Sequence, residues 1–157
     1  MTLEPIGYVE SPYERLENMP IQPKGAASAE GTIIIDPSLA EGLKDLEGFS
    51  HLYIIYHFHK ALRTELTVTP FMDTEKRGVF ATRSPLRPSH LGLSVVEMIT
   101  VEGNRVRIRG VDMLEGTPVL DIKPYIEKFD RVDESRSGWM DKDEYEIASA
   151  RSDGRFI

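Results

Sequence analysis

Apolar residues fall along this chain in short runs broken by proline and glycine, a pattern of strands rather than of long helices. Ile6–Glu10 reads as a strand ended by Ser11-Pro12, and the β-branched run Gly31–Ile35 as another. Ser50–Phe58 (SHLYIIYHF) is almost wholly apolar or aromatic and predicts a buried strand. Leu66–Pro70 and Gly78–Thr82 are further strands, joined by a polar turn over Asp73–Lys76. Leu93–Glu102 and Arg105–Gly110 predict a hairpin turning on Gly103-Asn104. That register pairs Glu102 with Arg105, Val101 with Val106 and Ile99 with Ile108, so one face is aliphatic and Arg105, Arg107 and Arg109 share the other. Val119–Ile122 is the last strand expected, ahead of Pro124.

Helical spacing is confined to one place. Asp36-Pro37 forms a capped start, Leu39, Leu43 and Leu46 line one face, and Gly48 supplies a stop, which predicts a helix over Pro37–Leu46. Arg15–Ala29 has the composition of a loop. About eight strands against one short helix give a mainly β fold, a small closed or partly open antiparallel β-barrel or a sandwich. Residues 1–129 carry that unit. Residues 130–157 are an acidic, irregular tail, partly helical around Lys142–Ala150 or loosely ordered.

Composition narrows the function. At 157 residues, 40% of them hydrophobic, the chain suits one domain with a real core. The absence of cysteine removes disulfides, thiolate metal sites and a Cys nucleophile. The start of the chain lacks a signal-peptide pattern and the longest apolar run is too short to span a bilayer, so a cytoplasmic protein without a membrane partner is expected. A formal net charge of −7 argues against a general electrostatic grip on nucleic acid. The arginines nevertheless cluster in the middle of the chain, and the acids at Glu41–Glu47 and beyond Glu127. A local basic patch on an acidic body is therefore compatible with the composition.

No glycine-rich nucleotide fingerprint, P-loop or G-x-S-x-G elbow is present. His57 and His59 alternate along one strand and so share a face, as two metal ligands would, but no spacing supplies a third, so packing and hydrogen bonding are favoured over a metal. Ala81–Gly92 (ATRSPLRPSHLG) is stiffened by two prolines and offers Arg83 and Arg87 as fork-shaped donors for carboxylate or phosphate, with Ser84 and Ser89 as hydroxyls. Glu115–Tyr125 forms a second polar loop and strand. There Asp121 and Lys123 face one side, a carboxylate beside an ammonium suited to holding a zwitterion, or an ordinary surface ion pair.

FATRSPLRPSHLGLS, GVDMLEGTPVLDIKPY and FSHLYIIYHFH together resemble the TrmO (TsaA-like) methyltransferases. The resemblance runs from Ile6 to Tyr125. Glu115 stands where the family usually has Asp, and Ser89 where it has Asn. The resemblance implies a β-barrel that binds S-adenosylmethionine between the subunits of a homodimer and methylates N6-threonylcarbamoyladenosine beside the tRNA anticodon. It also implies the cofactor contacts Pro20, Ile21, Gln22, His59, Lys60, Arg83, Leu93, Gly116, Thr117, Pro118, Asp121, Ile122 and Lys123. Arg83 and Lys123 are then candidates to hold carboxylates, Asp121 a candidate base or ammonium acceptor, and Arg105, Arg107 and Arg109 either a candidate RNA track or a solvated hairpin face balanced by acidic neighbours. Direct methyl transfer to nitrogen needs alignment and no metal. Two other readings remain at this point: the same cofactor with a small-metabolite acceptor, or a non-catalytic adenosylmethionine-binding module.

Overall fold

The computed structural model describes residues 1–156, leaving aside the Pro23 side chain. Eight strands appear among them: β1 (Gly7–Glu10), β2 (Glu30–Ile35), β3 (His51–His57), β4 (Thr67–Val68), β5 (Arg77–Gly78), β6 (Leu91–Glu102), β7 (Arg105–Arg109) and β8 (Pro118–Pro124). Six of them close into a barrel in the order β1-β2-β7-β6-β3-β8, while β4 and β5 form a separate ribbon. Every pairing in the barrel is antiparallel. The mainly β, antiparallel-barrel expectation therefore holds in its closed form. Closure removes the exposed strand edges that a sheet of six would otherwise leave.

Alternation does the folding work. In β3, Leu52, Ile54 and Tyr56 point inward and are buried, and in β6 Gly92, Ser94 and Val96 do the same. With Val9, Ile33, Ile35, Val106, Ile108, Val111, Met113 and Val119 they fill the barrel interior. At roughly 1.5–3 kcal/mol per fully buried aliphatic or aromatic side chain, this interior is the principal source of stability.

The hairpin turns on Gly103-Asn104 as expected, with Gly103 at φ 62° and Glu102 opposite Arg105 and Val101 opposite Val106. Further along, the expected Ile99–Ile108 pair does not form. A register shift between Met98 and Thr100 sets Met98 opposite Ile108. The extra residue is a bulge, which lets this long strand bend around the closed barrel.

Three other expectations are corrected. Pro37–Leu46 is not one α-helix but two short 3-10 segments, Pro37–Leu43 and Leu46–Gly48. Asp36 caps the first through Ser38 as foreseen, but Asp45 adopts φ 65° between them, a left-handed geometry that no α-helix continues through. The extended run expected over Gly78–Thr82 survives only as Arg77–Gly78, because Val79–Ala81 folds into a 3-10 turn closed by Thr82 onto the Val79 carbonyl. The third concerns His59. β3 stops at His57, and His59 N donates to the His57 carbonyl at 2.8 Å, so the chain has turned and the two rings are not alternate residues of one strand.

Of the two alternatives for the segment after Tyr125, the helical one holds, within Lys142–Ala150. Short helices α1 (Glu127–Asp130) and α2 (Glu144–Ser149) form, the second started by a capping box between Asp143 and Glu146. Phe156 is buried with Val68 and Leu86, edge-on to Phe71 at 4.7 Å.

One contact inside the barrel is unusually close. Gly92 lies flat against the Tyr56 ring, and a Cβ at position 92 would meet ring carbons at 2.3 Å. Gly92→Ala is expected to lower unfolding free energy by about 1–3 kcal/mol in a urea titration. Unchanged stability would contradict this packing.

Candidate functional site

The fold brings the singled-out residues to three places, the mouth of the barrel, the outer wall of β3, β6 and β8, and the outer face of the β6–β7 hairpin. At the mouth, Arg83 Nη1 donates to Gln22 Oε1 at 2.6 Å, joining two loops that are far apart in sequence. This is a charge-assisted bond with the remaining guanidinium N–H groups directed into an exposed position. The loop that presents Arg83 is held from within. Arg87 Nη1 donates to the Thr82 carbonyl at 2.9 Å, Leu86 N donates to Ser84 Oγ, and the His90 ring meets the Pro85 carbonyl at 2.9 Å. His90 itself takes φ 47°, and its carbonyl accepts from Phe58 N at 2.8 Å. Arg87 and Ser84 are thus fasteners of the loop, and Arg83 is the donor it displays.

The tail braces both loops from outside. Ser152 N donates to the Met19 carbonyl and Asn18 N to the Ser152 carbonyl, with Pro20 bridged to Arg151. Ser152 Oγ also donates to the Leu16 carbonyl. Trp139 Nε1 donates to the Ala81 carbonyl at 2.8 Å, two residues from Arg83, and Arg77 stacks over its ring. So the two loops that carry Pro20, Ile21, Gln22 and Arg83 are braced at Leu16–Pro20 and at Ala81 by the segment after Tyr125.

A carboxyl not singled out in the sequence completes the mouth. Asp112 follows β7 in the run Val111-Asp112-Met113-Leu114, whose three apolar members are buried. They carry the acid inward with them. Asp112 Oδ1 accepts from Ser94 Oγ at 2.7 Å, and Ser94 in turn lies 3.3 Å from the Tyr56 hydroxyl. Burial pushes the Asp112 carboxyl up to about 6, opposed by the Ser94 hydrogen bond and more distantly by the Arg83 charge. Burial, with the Asp112 charge adding to it, also drives the Tyr56 hydroxyl well above its ordinary value. Tyr13, raised by burial, feels Asp112 and Arg151. The available sequence signal was a lone acid inside an apolar run, overlooked beside the more polar Glu115–Lys123.

On the outer wall, β3 pairs Ile55 with Leu93 of β6 on one side and with Asp121 of β8 on the other. The next row is Val95, Tyr53 and Lys123. Lys123 Nζ contacts Asp121 Oδ2 at 2.9 Å, so the expected pair on one side of the strand exists. Ile122 faces inward and packs on the core. Leu91, Leu93 and Val95 are all exposed, Leu93 to 53%. That is an apolar stripe on the outside of a barrel, rimmed by an ion pair.

Gly116, Thr117 and Pro118 lie where the chain enters β8. Gly116 N donates to the Val9 carbonyl, Val9 N to the Thr117 carbonyl, and Gly116 has φ 74°, which its lack of a side chain permits. Glu115 accepts from Ser11 N at 2.6 Å. His59 is partly buried. Burial, with Lys60 and His57 nearby, pushes its imidazole below the usual value. No cluster of three metal-binding side chains occurs among the described residues.

Arg105, Arg107 and Arg109 do share the outer face of the hairpin. Each is already engaged: Arg105 with Glu10 at 2.8 Å, Arg107 with Glu30 at 3.0 Å, and Arg109 with both Glu30 and Glu97. Hydrogen bonds from Arg109 and Arg107 hold the Glu30 carboxyl below its ordinary value. This face is an alternating, charge-balanced ladder.

Residues 8–131 match the family model described as the tRNA-methyltransferase O N-terminal domain. A protein of Pyrococcus abyssi named a probable S-adenosyl-L-methionine-binding protein is 50% identical over 153 residues, covering 98% of this chain and 83% of that protein. A tRNA (adenine(37)-N6)-methyltransferase of Rattus norvegicus is 42% identical over 134 residues, which are 81% of this chain and 31% of the relative. The crystal structure of TrmO from Pseudomonas aeruginosa superposes with a TM-score of 0.76 at 38% identity, covering 90% of this chain and 63% of that one. The chain therefore spans less than two thirds of the solved TrmO chain and about a third of the rat protein.

The raised Asp112 carboxyl has a stability consequence of definite sign. Below the unfolded value of 3.8 both states are protonated and the group costs nothing. As pH rises from there to about 6, the unfolded chain releases its proton first and stability falls. Asp112→Asn is therefore expected to be more stable than the wild type at pH 7.5, by up to about 3 kcal/mol at ~1.4 kcal/mol per unit. The gain should vanish near pH 4. Melting curves across that range check it.

Proposed function

Because the chain belongs to the family of the tRNA-methyltransferase O N-terminal domain, we propose that it is an S-adenosylmethionine-dependent N-methyltransferase. Its proposed acceptor is N6-threonylcarbamoyladenosine beside the tRNA anticodon. The observation that carries the reading is the mouth itself, where Arg83 bonded to Gln22 stands next to the Asp112–Ser94–Tyr56 chain of polar groups.

The donor set fits the cofactor. Arg83 displays guanidinium N–H groups to a carboxylate, Asp121 and Lys123 offer opposite charges to a zwitterion, and Leu93 with its exposed neighbours offers apolar contact to a purine. Pro20, Ile21, His59, Lys60, Gly116, Thr117, Pro118 and Ile122 complete the proposed contacts, largely as backbone and shape. When bound, S-adenosylmethionine supplies an activated methyl group on a sulfonium. The protein's part is to align that group with a nucleophilic nitrogen and to keep water out.

A homodimer fits this division of residues. Ser94 and Tyr56 project inward while Leu93, Asp121 and Lys123 project outward from the same wall, so one barrel offers the two sets on different surfaces. A second copy seated on the stripe of Leu91, Leu93 and Val95 would cover exposed apolar surface and add its outer-wall residues to the first copy's mouth. As an RNA track, the Arg105–Arg109 ladder would have to exchange glutamate for phosphate, so its contribution is to register and not to raw attraction.

Calorimetry with S-adenosylmethionine tests the cofactor. Arg83→Ala should weaken binding by at least about tenfold, since a charge-assisted contact contributes about 1.5–3 kcal/mol; unchanged affinity would reject its role. Mass spectrometry of nucleosides tests the acceptor. tRNA carrying N6-threonylcarbamoyladenosine should gain one methyl group on incubation with protein and cofactor. Cofactor heat without that product would point instead to a small-molecule acceptor or to a binding module.

A further inference from the structure

Three acids lie close to the proposed site, and their surroundings separate them. Asp121 is neutralised by Lys123 at 2.9 Å, and Glu115 is held by Ser11 N at 2.6 Å. Asp112 takes part in no ion pair among the described residues, and its one side-chain partner is the hydroxyl of Ser94. The groups facing it come from every element around it: Tyr56 from β3, Ser94 from β6, Arg83 from the loop before β6, and Tyr13 after β1, which itself faces Arg151 of the tail.

Methylation of a neutral exocyclic or amide nitrogen leaves that nitrogen with a proton to lose. A nearby base at neutral pH is therefore useful, and a carboxylate without a cation partner is the suitable kind. We propose that Asp112 is that base, oriented by Ser94 acting as a positioning residue. The acceptor nitrogen forms its bond to the methyl carbon with its own electron pair, the carbon–sulfur pair returns to sulfur, and the N–H proton passes to an Asp112 oxygen. Nothing else is consumed. The inference rests on the methyltransferase reading of this site.

The Ser94 hydroxyl occupies one Asp112 oxygen at 2.7 Å and so fixes the carboxyl plane. The inward location of Ser94 on β6, opposite Ile54, makes this bond part of the barrel core. Burial raises Asp112 to about 6, high enough to hold a proton well and low enough to be ionised at pH 7. Ser94 opposes that rise, so losing the hydroxyl moves the carboxyl further up.

The test uses the full chain with S-adenosylmethionine and tRNA bearing N6-threonylcarbamoyladenosine. Single-turnover methyl transfer by the wild type should increase with pH through about 6 and then level. Asp112→Asn should lose roughly 100-fold or more of the rate and the pH inflection together, with cofactor affinity by calorimetry within about threefold of wild type. Ser94→Ala should lower the rate by less than Asp112→Asn does, while shifting the inflection upward. Carbon-13 NMR of the Asp112 carboxyl gives a readout without catalysis: a midpoint near 6 in the wild type, higher in Ser94→Ala. Asp112→Asn with rate and inflection intact would overturn the inference, as would a carboxyl titrating in the ordinary range. So would a loss of cofactor binding as large as the loss of rate, which would make Asp112 a cofactor contact. Absence of cofactor heat and of transfer in the wild type would remove the methyltransferase reading and this inference with it. Wild-type transfer beside an unimpaired Asp112→Asn removes the inference alone.

Discussion

Closure of the barrel through β8 is the constraint on which the rest depends. β8 must pair with β3 along one edge and with β1 along the other, where Gly7 meets Val119 and Tyr8 meets Pro118. To reach that place from β7, the chain has to cross the end of the barrel between Gly110 and Thr117. The crossing is tied down by backbone bonds from Gly116 to Val9 and from Glu115 to Tyr13. Burying Val111, Met113 and Leu114 in this crossing stabilises closure, and Asp112 is carried inward between them. Part of the hydrophobic gain thus offsets the cost of withdrawing a carboxyl from water. A group of the candidate site is carried into place by the same step that completes the fold.

Much of the barrel was legible because its signals are local. The Gly103-Asn104 turn and the shared face of Arg105, Arg107 and Arg109 follow from turn chemistry and a period of two, whereas the run around Leu52–Tyr56 reads as a wholly buried strand and only Leu52, Ile54 and Tyr56 turn inward. The misses have long-range or single-residue causes. The Met98–Thr100 bulge answers the curvature of a closed barrel, which no short window contains. The left-handed Asp45 breaks a helix that leucine spacing alone would continue. Likewise Thr82, by bonding back to Val79, turns an extended run into a 3-10 segment.

The site was legible in its loops and not in its core. Arg83, Gln22 and the Asp121–Lys123 pair stand out as polar residues in proline- and glycine-marked stretches, and the structure places Arg83 on Gln22 and Lys123 on Asp121. Asp112 does not stand out, since its importance comes from neighbours on three other segments: Ser94, Tyr56 and Arg83. The helix expected around Lys142–Ala150 forms as Glu144–Ser149, but the contacts the tail makes are not legible in its composition. Its acidic composition says nothing of Ser152, Trp139 and Phe156, three residues whose pairing and burial hold the loops in place. The arginine face of the hairpin takes the balanced form the sequence allowed, paired with Glu10, Glu30 and Glu97.

A barrel mouth organised around Arg83, with an outer wall ready to complete a neighbouring mouth, is the centre of this account. A crystal structure of the full chain grown with S-adenosylmethionine tests it most directly. The account predicts cofactor density against Arg83 and Gln22, with Asp121, Lys123 and Leu93 of an adjoining copy at its border. Density bound elsewhere on the barrel, with the Arg83–Gln22 mouth empty, would contradict it.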